Sequence, residues 1–181
     1  TDPPYGIGFS YDSHDDTRSK WFGLIDAVLP IIRETSNFVV LPCCGIDRLG
    51  WWYANHKPDW LMCWYKGSPG HRSHVGFNDW EAHIVYGKPP SQMHDYWQTH
   101  CGFEVDGHPC PKPVAYAAWL VERAAPHSGT IFEPFSGSGT TLIAAEQLGR
   151  KCYAIEISPA YCDVAVKRWE TLTGRKAVRN G

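Results

Sequence analysis

No apolar run in this chain approaches the length needed to cross a membrane; the longest, such as Phe38 to Leu41, are strand-sized. Strong net charge is missing too. The 181 residues carry a formal net charge of −2 with nine neutral histidines, so the basic excess of many nucleic-acid binders is absent. Basic and imidazole groups do gather locally, at Lys57, Lys66, His71, Arg72, His74 and Lys88. The seven cysteines are odd in number and follow no regular framework. Reduced thiols inside a cell are therefore expected, rather than a disulfide scaffold. Internal repeats and low-complexity tracts are absent. What remains is a chain that is 43% hydrophobic, the size and composition of one compact α/β domain with a modest insertion.

Periodicity locates the elements. Trp21, Phe22, Ile25, Val28, Leu29 and Ile32 recur at helical spacing from Arg18 to about Thr35. Pro30 is expected to kink or divide that helix, because it has no N–H to donate and its ring crowds the preceding turn. Phe38 to Leu41 reads as a buried strand stopped at Pro42, 45–55 as a short helix, and Trp60 to Lys66 as another strand. Residues 67–107 change character, rich in Gly, Pro, His, Asp and aromatics, with one strand-like piece at Ala82 to Tyr86. Helical patterning returns after Lys112. Gly129 to Glu133 is then a strand, Gly139 to Leu148 a helix and Lys151 to Ile157 a strand. The last helix has Ser158 as N-cap and Pro159 at its first position.

Glu133-Pro134-Phe135-Ser136-Gly137-Ser138-Gly139-Thr140-Thr141 is a glycine-rich turn between a strand and a helix. Its glycines let the backbone turn tightly and approach a ligand, because no Cβ intervenes. Glu156 lies 19 residues after Gly137, at the end of the next strand. An acid there can accept hydrogen bonds from both hydroxyls of a ribose. Gly139 is followed by Thr140 and Thr141 with no Lys, which disfavours a phosphate-cradling P-loop. The second glycine spacing of a dinucleotide oxidoreductase is also missing. A purely structural strand-to-helix turn is the alternative.

At the other end stands Asp2-Pro3-Pro4-Tyr5, which holds a carboxylate, a carbonyl and an aromatic ring on a stiff tetrapeptide. In this order the two motifs resemble the amino-methylating DNA methyltransferases, which act on adenine N6 or cytosine N4, in their circularly permuted branch. The resemblance implies an α/β, Rossmann-like S-adenosylmethionine-dependent fold. That cofactor carries ribose and no phosphate, which suits a turn without basic residues. The implied cofactor contacts are Lys112, Glu133, Phe135, Ser136, Gly137, Ser138, Gly139, Thr140, Thr141 and Glu156. Lys112 belongs to His108-Pro109-Cys110-Pro111-Lys112-Pro113, similar to the His-Pro-x-x-Lys-Pro element of the family, with Pro111 where Gln is frequent. Glu133 replaces the family's usual Asp, and the longer acid is expected to shift contacts near the methionine part.

The implied chemistry rests on Asp2, Pro3, Pro4 and Tyr5. An exocyclic base amine is a weak nucleophile because its lone pair is delocalised into the ring. Asp2 and the Pro3 carbonyl can accept its two hydrogens and pyramidalise it, while Tyr5 offers a stacking face to a base flipped out of double-stranded DNA. Asp at the first position favours adenine over cytosine, where Ser is common. The family's strand ahead of this motif is absent from the chain, which motivates a second expectation: a catalytically incomplete fragment that binds cofactor or DNA.

Three stretches follow, with residues 1–66 as the catalytic half, 67–107 as a target-recognition insertion and 108–181 as the cofactor half. Within the insertion, Arg72, Asn78, Lys88 and Gln92 are candidates to touch bases or phosphates, with Phe77, Trp80 and Tyr86 as apolar support. So short an insertion implies a short site or help from a second copy in a homodimer. The resemblance implies a cytoplasmic protein of a prokaryotic or phage-infected cell, with no membrane partner. Cytosine-C5 chemistry would need a nucleophilic Cys after Pro, as at Pro42-Cys43 or Pro109-Cys110, but both precede the glycine turn. Cys43 and Cys44 read as small buried residues. His100, Cys101, His108 and Cys110 have an atypical zinc spacing, and no metal site is assigned.

Overall fold

The computed structural model describes residues 1–10, 15–67, 72–74, 76–98 and 112–179, with backbone alone at 72 and 73. The chain divides into two compact units, Thr1–Gly102 and Phe103–Gly181.

In the first unit, α1 (Arg18–Thr35) precedes β1 (Phe38–Pro42). A single 3-10 turn (Ile46–Arg48) leads into α2 (Leu49–Asn55), followed by β2 (Trp60–Tyr65), β3 (Arg72–Ser73), β4 (Gly76–Phe77), β5 (Trp80–Gly87) and β6 (Tyr96–Gln98). Four of the strands form one sheet in the order β1-β5-β2-β6, and β3 pairs with β4 separately. β5 runs antiparallel to both its neighbours, with Leu41 opposite Ile84 on one side and Leu61 opposite Ile84 on the other. The expected strand-like piece at Ala82 to Tyr86 is thus an interior strand. It is buried continuously over those residues, as a strand covered on both faces must be. The insertion expected at 67–107 therefore contains the middle of this sheet, because strand order follows long-range pairing rather than chain order.

The helical stripe of α1 is as the spacing predicts, with Trp21, Ile25, Leu29 and Ile32 buried. Pro30 does not divide the helix, which runs unbroken through it. It sits on the exposed face, where water can serve the carbonyl that loses its helical partner. Trp21 also meets Trp51 and Trp52 of α2 at ring separations of 5.2 and 5.8 Å. The Trp52 indole donates to the Cys43 carbonyl at 3.1 Å, tying α2 to the end of β1.

The second unit holds α3 (Val114–Ala124), β7 (Thr130–Glu133), α4 (Thr140–Gln147), β8 (Lys151–Ala154) and α5 (Pro159–Thr173). β7 and β8 are parallel, Glu133 facing Ala154. Its core is built from small side chains, Ala117, Val121, Ala144 and Ala145, with Ile131 and Leu148 packed against them. Arg150 is buried and donates to the carbonyls of Leu148 (2.8 Å) and Ala125 (3.1 Å), which closes the C-terminal ends of α4 and α3. Ser158 and Pro159 start α5 as expected, although the Ser158 hydroxyl makes no cap hydrogen bond.

Candidate active site

The glycine turn in the second unit is held from three sides. Gly139 precedes α4 with φ +81°, a left-handed conformation open to glycine. A Cβ there would lie 2.8 Å from the Ala165 Cβ of α5, so the helix packs where a side chain would stand. Arg168 of α5 donates to the Ser138 carbonyl (2.7 Å), the Ser138 hydroxyl (2.9 Å) and the Thr140 hydroxyl (3.3 Å). Ser136 N–H donates to the Ile155 carbonyl at 3.0 Å, which links the turn to the end of β8.

Both expected acids are at this turn, in different roles. Glu133 is 2% exposed, and its oxygens accept from the Phe135 N–H (3.1 Å) and the Thr141 hydroxyl (2.8 Å). Its longer side chain thus reaches back to brace its own turn. Glu156 is half-buried and accepts from Gly137 N–H (2.7 Å) and Ser158 N–H (2.8 Å), one on each oxygen. Each of those oxygens keeps a second lone pair for a diol. Ser136, Gly137 and Ser138 are half-buried, and among the described residues nothing lies within 4 Å of where a Gly137 Cβ would stand. Lys112 lies just before α3, its ammonium 5.7 Å from the centre of the Tyr116 ring. The other members of its motif, His108 to Pro111, lie outside the described residues, as do the four residues weighed for zinc.

These two glycines should respond differently to alanine. Gly139→Ala combines left-handed strain with overlap on Ala165, an expected cost of about 2 kcal/mol. Gly137→Ala, at φ +52° but with no described residue in the way of its Cβ, should cost about 1 kcal/mol and act mainly on ligand binding. Thermal unfolding alongside calorimetric cofactor titration separates the two effects.

In the first unit, Asp2, Pro3, Pro4 and Tyr5 are anchored by groups that local sequence patterns do not reveal. The Thr1 amine donates to the Val40 carbonyl of β1 at 2.9 Å. Pro3 is fully buried, while Asp2 and Tyr5 are half-buried. The guanidinium of Arg48, 4% exposed, donates to the carbonyls of Tyr5 and Gly6, the latter at 3.1 Å, and lies 4.3 Å over Trp21. Asp16, 2% exposed, accepts from the N–H groups of Gly6 (2.6 Å), Ile7 (3.1 Å) and Phe9 (3.1 Å). Arg48 and Asp16 therefore clamp the chain that leaves the motif, Asp16 through three backbone N–H groups and Arg48 through two carbonyls, its Nε having no hydrogen-bond partner among the described residues. The Tyr5 hydroxyl lies 3.1 Å from Asp2 Oδ1 and 3.0 Å from Glu81 Oε1 of β5.

Cys43 and Cys44 are buried at the end of β1. Burial, reinforced by Asp47 and Glu81 and opposed by Arg48, pushes the Cys43 thiol from 9.0 up to about 12. A thiol that resists ionisation is a poor nucleophile, which argues against covalent C5 chemistry at this residue. In the unfolded chain this proton leaves near pH 9, whereas the folded chain keeps it to about 12. The folded state binds more protons in that window, so stability falls as pH rises through it. Denaturant midpoints from pH 8 upward should decline less steeply in Cys43→Ala, and native Cys43 should resist alkylation at pH 8.

A parallel strand pair with a glycine turn and a terminal acid defines a Rossmann-like nucleotide-binding α/β protein. Residues 50–167 match the N6/N4 methyltransferase family model, described as DNA methylase, and the chain belongs to that family. It is 35% identical over 89 residues to the type II methyltransferase M.ScaI of Streptomyces caespitosus, an alignment covering 46% of this chain and 29% of that protein. Among solved structures it resembles the M1.HpyAVI complex with SAM, with a TM-score of 0.65, 21% identity and coverage of 93% of this chain and 85% of that one. PvuII DNA methyltransferase, described as cytosine-N4-specific, also has a TM-score of 0.65, at 13% identity and coverage of 96% and 81%.

Proposed function

We propose that the protein methylates the N6 amine of adenine in double-stranded DNA, with S-adenosylmethionine as donor. The observation that carries this reading is the Asp2-Pro3-Pro4-Tyr5 motif, clamped through its exit by Arg48 and Asp16 while Asp2 and Tyr5 stay partly open. Such acceptors need little reorganisation when an amine arrives.

The residues of the second unit fit the cofactor. Glu156 supplies an acceptor for a ribose diol, no described residue crowds Gly137, and the acids Glu133 and Glu156 suit a ligand with a net positive charge. Phe135, Ser136, Gly137, Ser138, Gly139, Thr140, Thr141 and Lys112 are proposed to complete its seat. When bound, the cofactor supplies an electrophilic methyl group on a sulfonium. The chain's own part is to accept the two amine hydrogens at Asp2 and the Pro3 carbonyl, and to stack a flipped base on Tyr5. Acceptor motif before glycine turn is the order of the circularly permuted branch.

For target recognition, the proposal narrows to the part of 67–107 outside the sheet interior. Phe77, Asn78, Trp80, Lys88 and Gln92 are exposed, whereas Tyr86 is buried in β5 and supports the sheet. Cytosine N4 is the second reading, favoured by the fold shared with the cytosine-N4-specific PvuII enzyme. Incubation with labelled S-adenosylmethionine and DNA, followed by mass spectrometry of the digested DNA, decides. N6-methyladenine is the expected product, N4-methylcytosine supports the second reading, and cofactor binding without transfer makes the chain an incomplete fragment.

A further inference from the structure

One residue pins four successive backbone N–H groups of the chain that leaves Tyr5. Asp16 accepts from Gly6 (2.6 Å), Ile7 (3.1 Å) and Phe9 (3.1 Å) through its carboxylate, and from Gly8 (2.7 Å) through its own carbonyl. Arg48 takes the Gly6 carbonyl, and Ser10 pairs with Asp15 at the base of the loop. Gly6 and Gly8 flank Ile7 with φ of +62° and +82°, and a Cβ on Gly6 would lie 2.6 Å from the Trp21 Cβ. The backbone at Gly6 is therefore seated against the core, which fixes the direction in which Ile7 leaves it.

The Ile7 side chain is nevertheless 73% exposed. No other large apolar side chain described in the first unit is as exposed. Single apolar groups are common on protein surfaces. What sets Ile7 apart is its rigid seat and its address. Two residues of chain span at most about 7 Å, so its Cα lies within that distance of the Tyr5 Cα. A base that swings out of a duplex to stack on Tyr5 leaves a gap between its neighbours. Proteins that unstack DNA fill such gaps with apolar wedges, isoleucine among them. A wedge must be apolar, must project in the free protein, and must be held too firmly to fold back. Ile7 meets all three conditions. We infer that Ile7 is the wedge of this protein, entering the base stack where the target base stood and holding the extruded state open.

This inference rests on the proposed methylation of a flipped base and can fail separately from it. The labelled product of the unaltered chain locates the methylated site, and two synthetic duplexes are built around it. In one the target base is paired. In the other it faces an abasic position, so that the neighbouring pairs can close on each other and no gap needs filling. Affinity for each duplex is measured with saturating S-adenosylhomocysteine for the unaltered chain, Ile7→Ala and Ile7→Leu. Ile7→Ala should weaken binding to the paired duplex about tenfold and to the abasic one less than about twofold. Ile7→Leu, still apolar and of similar volume, should stay near the unaltered chain on both. Equal losses on the two duplexes, or no loss on either, overturn the inference alone. An unfolding midpoint several degrees lower in Ile7→Ala overturns it too, since Ile7 would then be a packing residue. No methyl transfer to DNA by the unaltered chain overturns the functional reading together with it.

Discussion

Asp2→Ala is expected to lower methyl transfer by about 10²–10³-fold, the usual effect of removing one preorganised polar group from a transition state. The amine would keep one acceptor, the Pro3 carbonyl, and lose the charged one. Cofactor affinity should be unchanged, because Asp2 is not among the residues proposed to seat the cofactor. Folding should be nearly intact too, since Asp2 is half-buried while the clamp on the chain uses Arg48 and Asp16. Asp2→Asn is the informative companion. It keeps the shape and one acceptor oxygen but no charge, and should fall between wild type and alanine. Transfer by Asp2→Ala at the wild-type rate would remove Asp2 from the mechanism whatever the product.

Arg48→Ala should destabilise the protein by about 3 kcal/mol, because it strips partners from buried carbonyls and removes the group packed on Trp21. The guanidinium serves Tyr5 and Gly6 together, and it lies 4.3 Å over the Trp21 ring. At this chain length the unfolding midpoint should drop by about 6–12 °C. Arg48→Lys should recover only part of that loss, since an ammonium cannot present a planar fork to two carbonyls. Denaturant unfolding measures the stability directly. The methyl-transfer rate measured well below the midpoint then reports whether the motif has also been released. A midpoint within a degree of wild type would mean that the buried Arg48 does not hold the motif in place.

Most of the elements were legible in the sequence, because their signals are local. The buried stripe of α1 follows from a period of 3.6 residues, and Ser158-Pro159 marks the start of α5 by chemistry confined to adjacent positions. Pro30 shows the limit of such rules. Its cost depends on which face it occupies, and on the solvent face the helix continues. The place of β5 between β1 and β2 was not legible, because a strand's neighbours are chosen by pairing across the sheet.

The candidate site divides in the same way. Asp2-Pro3-Pro4-Tyr5, the turn from Glu133 to Thr141, and Glu156 could be read from the chain, since short motifs need only the spacing that the backbone imposes. Arg48, Asp16, Glu81 and Arg168 could not. Each is a lone polar residue with no period or motif around it, and its meaning comes from what folding brings beside it. Folding sets Arg48 against Tyr5, Asp16 under Gly6, Glu81 against Tyr5 and Arg168 against Ser138. The sequence by itself determined which chemical groups the chain can offer and the local turns that present them. Only the tertiary structure decided which groups hold those turns rigid, because desolvation turns an ordinary arginine or aspartate into a clamp once it is buried against backbone groups.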